Sequence, residues 1–176
     1  MPYLVSAARV MVFVVFAAAA TSKVRGREAF RGFVGSLAAL TWIPPRLRRP
    51  VGVVTVLTEA AAAGLVTTQA TAPAGLLLAA AAISAFTASM AVAARRGPVR
   101  CRCFGSGVST WGKALVARNG LVLIVVIVGL GAEASRASGD HGTPGGLVVA
   151  AATAAVCGLA ITRWDDVMFV LGLERR

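Results

Sequence analysis

Acids, aromatics, histidine and cysteine are all scarce in this chain of 176 residues, and each scarcity closes off a class of function. The chain has one histidine and three cysteines. Zinc generally needs four ligands, and a single close cysteine pair with one distant histidine cannot close such a site, so no metal and no cofactor is expected. Aromatic residues make up 6% of the chain. They are too few to interleave with the basic residues as a base-stacking surface, which removes nucleic acid from the expected partners. Polar surface is short as well. With 57% hydrophobic and only 14% charged residues, the chain cannot cover a water-soluble globule, and the lipid bilayer is its expected surrounding.

What is present is apolar, basic and segmented. Alanine, valine, leucine and glycine dominate, which suits helices packed through small side chains rather than a barrel of alternating strands. The expected fold is all-α: a polytopic bundle of four to five transmembrane helices with one interfacial helix after the first span. Crossing roughly 30 Å of hydrocarbon takes about 20 helical residues at about 1.5 Å each. Suitable windows fall near 3–21, 51–66, 74–94, 113–130 and 147–162. The first is too long for a signal-peptide core and carries Arg9 inside it rather than ahead of it, so it reads as a retained helix. Between the first two windows lies a basic connection, Lys23 to Pro50. It contains Phe30, Phe33, Leu37 and Leu40 at helical spacing before Pro44-Pro45, with Trp42 expected at headgroup depth.

Two features in these windows invite chemistry. Glu59 sits near the middle of the second window, where a carboxylate faces the bundle interior, is neutral, or meets a cation. The candidate cations are Lys23, at the end of the first helix, and Arg118, at the start of a later one. The alternative is a glutamate reaching toward the surface along a tilted helix. The second feature is Arg100-Cys101-Arg102-Cys103-Phe104-Gly105, a basic loop with two cysteines one residue apart. Flanking guanidinium groups favour the thiolate, so a lowered thiol pKa is expected there. Side chains at i and i+2 share a side only where the backbone is extended, and closing a disulfide across that spacing requires a bend. Such a bridge is strained and readily reduced, which suits a transient disulfide. Cys157, inside the last apolar run, is expected to be a small buried residue. Phe86 and Met90 share a face by spacing and read as packing.

The net charge of +11 is uneven. If all five windows cross, sixteen of the eighteen Lys and Arg residues fall on one side (seven in 23–50, six in 95–118, three at the C-terminus), leaving Arg9 and Arg136 opposite. The positive-inside rule then places the cysteine loop in the cytosol.

Ser22-Lys23, Phe30, Glu59, Phe86, Cys101-Arg102-Cys103-Phe104-Gly105 and Arg118-Asn119 together resemble the methylamine utilisation protein MauE family, related to DoxX-like membrane proteins. The resemblance covers residues 1–131 as a membrane domain, with 132–176 as a loop, a fifth apolar helix and a polar tail. It implies a multi-pass plasma (inner) membrane protein associated with redox maturation of exported proteins, alongside a thioredoxin-like partner. In the founding pathway the substrate is the methylamine dehydrogenase light subunit. Such a role calls for thiols on the outer face, opposite to the charge count. On this reading Cys101 and Cys103 exchange electrons, Arg118 and Asn119 orient or polarise the loop with Arg102, Phe104 and Gly105, and Lys23 with Glu59 holds the bundle or relays a proton. The competing readings are a non-catalytic scaffold, a small transporter subunit centred on Glu59, or a DoxX-like subunit of a quinone oxidoreductase. The sequence carries no signal for oligomeric state.

Overall fold

The computed structural model describes residues 1–95, 100–101, 109–110, 113–135 and 142–163. Among these, six α-helices make up the molecule: α1 (Pro2–Val24), α2 (Arg27–Ser36), α3 (Pro45–Leu65), α4 (Ala72–Ala94), α5 (Lys113–Ala134) and α6 (Pro144–Thr162). A single 3-10 turn, Leu37–Ala39, extends α2. Two-residue strands β1 (Arg100–Cys101) and β2 (Ser109–Thr110) pair antiparallel between α4 and α5. α1, α4, α6 and residues Val116–Ala134 of α5 are long and apolar enough to cross a membrane, so this is a multi-pass membrane protein.

The first helix is the axis of the bundle. α1 touches α2, α3, α4, α5 and α6. It buries Val5, Ala8, Val12, Val15, Ala19 and Lys23 along one stripe at steps of three and four. Small residues let neighbours approach closely: a Cβ on Gly129 of α5 would lie 2.5 Å from that of Ala8. Outward faces are apolar as well, with Leu57, Leu77, Ile124, Val148 and Val156 exposed. In water that belt would be a liability; in hydrocarbon it is solvated.

Helix directions follow from a few polar contacts. Tyr3 near the start of α1 meets Thr143 at the start of α6, its hydroxyl 3.0 Å from Thr143 Oγ1 and accepting the Thr143 N–H at 2.9 Å. Those two helices therefore run parallel. Arg9 donates from Nε to Val66 O (2.8 Å) and from Nη2 to Thr67 O (2.6 Å), capping the carbonyl end of α3 with a cation. α3 is thus antiparallel to α1. In the turn from α3 to α4, Thr67 and Thr71 hydroxyls donate to Gly64 O and Leu65 O, which supplies the polar partners an uncharged turn needs.

α3 differs from its expected form. It starts at Pro45, six residues before the predicted window, and includes Arg46, Arg48, Arg49 and an internal Pro50. Pro44 and Pro45 pre-set the helical φ at its start, and Pro50 lies early enough that only one backbone hydrogen bond is forfeited. Its charges keep it out of the set of helices apolar enough to cross on their own. It nevertheless packs between α1 and α4. Cys157 also departs from expectation. It is exposed on α6, because Gly158 beside it takes the face toward α1 and turns the thiol outward. On a helix apolar all round, an outward thiol costs little in lipid.

Candidate functional site

Lys23, Glu59 and Arg118 meet near one end of the bundle, under α2. Lys23, in the last turn of α1, is only 3% exposed, and its Nζ lies 2.7 Å and 2.9 Å from the two carboxylate oxygens of Glu59 on α3. Nζ also donates to Ala19 O at 3.1 Å. Glu59, with 14% of its side chain exposed, is thereby paired inside the bundle. The tilted, surface-reaching glutamate is ruled out. Lys23, rather than Arg118, is its partner.

The roof of the site comes from the amphipathic connection. Phe33 of α2 lies over the ammonium of Lys23, 5.0 Å from ring centroid to Nζ, a cation–π contact in a desolvated place. Phe33, Leu37 and Leu40 bury themselves against Met90 and Ala93 of α4, with Phe86 and Phe30 packed at the edge of that cluster. The segment from Ala29 to Ile43 is therefore a cap on the bundle. Gly52 of α3 makes room for it, since a Cβ there would meet Val34 Cγ2 at 2.9 Å.

α5 supplies the remaining polar wall. Arg118 is 5% exposed and close enough to Lys23 to repel it. Asn119 Nδ2 donates to Thr87 Oγ1 of α4 at 2.9 Å, tying the two helices together one residue further on. Between these groups lies a cavity of about 370 Å³. Lys23, Glu59, Arg118 and Asn119 line it on the polar side, and aliphatic and aromatic side chains, Trp42 and Val54 among them, line the rest. Residues 1–132 match the family described as methylamine utilisation protein MauE. A protein of Paracoccus denitrificans, methylamine utilization protein MauE, is 36% identical over 135 residues, covering 73% of this chain and 69% of that protein. The chain belongs to the MauE family. No solved structure matches it.

Of the site residues expected from sequence, this MauE-family chain brings Lys23, Glu59, Arg118 and Asn119 to one cavity. Cys101 lies in β1, with its backbone opposite Ser109 and β1 beside α2. Arg102, Cys103, Phe104 and Gly105 lie outside the described residues, and so does His141. The ends of the cysteine segment are nevertheless placed: it leaves from the end of α4 and returns into the start of α5, five residues before Arg118. Among the described residues no cluster of three metal-ligating side chains occurs. Sequence reasoning missed Thr87 and the placement of Phe33 over Lys23. A lone threonine in an apolar helix was the available signal for the first; the second depends on how α2 folds back.

Proposed function

We propose that this MauE-family protein is a thiol-disulfide carrier of the bacterial inner membrane, acting in methylamine utilisation as the name of its Paracoccus relative suggests. Cys101 and Cys103 form the working pair. A thiolate of a thioredoxin-like partner attacks their disulfide, giving a mixed disulfide and freeing one of the pair as thiolate. The partner's second thiolate then displaces the remaining sulfur. Two electrons pass to Cys101 and Cys103, which leave as thiols after taking up two protons, and the partner leaves as a disulfide. Maturation of an exported protein, the methylamine dehydrogenase light subunit in the founding pathway, is the use the family resemblance implies.

The observation that carries this reading is the tethering of the cysteine segment. It is held by the ends of α4 and α5 at the end of the bundle where Lys23 and Glu59 are locked together. Arg100 beside Cys101 in the chain supplies positive charge that favours a thiolate. The test is disulfide trapping in cells. Cys101→Ser or Cys103→Ser alone should accumulate a mixed disulfide with a thioredoxin-like protein, and the double variant should trap nothing and lose maturation. Full maturation by an expressed double variant would refute electron exchange and favour a scaffold or transporter subunit.

A further inference from the structure

α2 and α3 enclose another concavity, of about 680 Å³, at the end of the bundle where α1 finishes its apolar span. Its charge is of one sign. Arg27 and Arg31 of α2 and Arg49 of α3 line it, and no acidic side chain does. Glu28, next to Arg27 in the chain, is exposed and lies off the lining. Among the described residues none of the three guanidinium groups has a carboxylate or other hydrogen-bonding partner. Helix stability argues against such an arrangement. Arg27 and Arg31 are like charges one turn apart, and Arg27 opens α2, where the helix dipole repels a cation. An anion from outside the chain would relieve both penalties.

Two further features say what kind of anion. α2 starts at Gly26 without a side-chain cap, in open space at the edge of the concavity, and the uncapped amides of a first turn favour a phosphate or carboxylate. The floor is apolar. Phe30 and Val34 share a helix face with Arg27 and Arg31 and press against α3 at Gly52, so the groove has cations along its rim and hydrocarbon at its base. Val24 at its edge ends a helix long enough to cross the bilayer, which sets the groove at headgroup depth. Floor and depth together favour a lipid over a soluble anion.

We propose that this groove between α2 and α3 binds the phosphodiester head of an anionic phospholipid, with Arg27, Arg31 and Arg49 on the phosphate and Phe30 and Val34 under the glycerol and the first methylenes of its chains. α2 also roofs the Lys23–Glu59 pair and touches β1, which carries Cys101, so the bound lipid braces the element that joins the two. Binding needs no thiol and survives Cys101→Ser with Cys103→Ser. That separates the present proposal from the thiol-exchange reading.

The full chain, stripped of lipid in detergent, is titrated by native mass spectrometry with phosphatidylglycerol and, separately, with phosphatidylcholine of the same chains. The first phosphatidylglycerol should bind at least about tenfold more tightly than the first phosphatidylcholine. At about fivefold for each guanidinium near an anionic head, Arg49→Gln should weaken that binding about fivefold and Arg27→Gln with Arg31→Gln more than about tenfold, with phosphatidylcholine unaffected. Arg49 stands on α3, so its variant tests the groove with α2 unaltered should the paired variant fail to fold. Arg95→Gln removes one charge at the end of α4, outside the groove, and should change neither affinity. Equal affinity for the two lipids overturns the proposal, and so does an equal loss in Arg95→Gln and Arg49→Gln, which would reduce the preference to overall charge. Displacement of the lipid by inorganic phosphate or by hexaglutamate at equal concentration overturns it as well, assigning the groove to a soluble anion.

Discussion

Lys23 and Glu59 show how one residue's placement decides another's fate. A carboxylate among apolar residues advertises a partner, so the pairing was legible from Glu59 alone; the choice of Lys23 over Arg118 was not, because it depends on where α1 ends against α3. Removing one partner leaves an uncompensated charge in the bundle, so Lys23→Met should destabilise the protein by about 3–5 kcal/mol, whereas Lys23→Met with Glu59→Met should recover most of the loss. Thermal unfolding of the purified variants in detergent measures both, and equal losses for the single and double variants would show that the pair is not coupled. Cys157 teaches the reverse lesson. An apolar neighbourhood in sequence reads as burial, but in a membrane helix the same composition covers inner and outer faces alike, and only contact with α1 distinguishes them. A lipophilic maleimide should therefore label Cys157 in a Cys101→Ser, Cys103→Ser background, and Cys157→Ala should change stability by less than about 0.5 kcal/mol.

At the scale of elements, the informative piece is α2. Its aromatic and aliphatic spacing was readable from the chain, since Phe33, Leu37 and Leu40 recur at helical intervals. An amphipathic helix, however, can lie on lipid or on protein, and sequence does not say which. Here it lies on protein, the Phe33 ring over Lys23 and the Val34 and Phe30 side chains close to α3 at Gly52. Gly52→Leu should drive α2 away from α3 at a cost of about 1–3 kcal/mol, the usual penalty of overpacking. Trypsin should then cut at Arg25 in the α1–α2 connection, or at Arg27 or Arg31 in α2, faster than in the unaltered protein. An unchanged digestion pattern would mean that α2 does not depend on that close approach. The start of α3 was misplaced for a local reason. Three prolines within seven residues look like a break, yet Pro44 and Pro45 open a helix and Pro50 follows soon enough to be carried by it.

For the whole molecule, the apolar windows set the number of long helices but not their directions. Tyr3 against Thr143 makes α1 and α6 parallel, which requires an even number of reversals between them and so counts α3 among the alternating helices despite its arginines. The N-terminus and the start of α6 are then expected on one side, and the cysteine segment on the other. Reporter fusions at residue 1 and after residue 142 should agree with each other and disagree with a tag in 102–108. The charge count favours the cytosol for that segment, whereas maturation of an exported protein needs it outside: an impermeant maleimide that spares Cys103 in intact cells and labels it only after permeabilisation would support the first, and labelling of intact cells the second. The two grips on α1 have a mechanical corollary. Arg9 clasps the last carbonyls of α3 and Lys23 clasps Glu59, fourteen positions or roughly 21 Å apart along one rod. A sliding step of α1 past α3 would have to unfasten both clasps together. Any rearrangement of the bundle that keeps both clasps would have to hinge elsewhere, with α1 and α3 as the stationary frame against which the remaining parts swing.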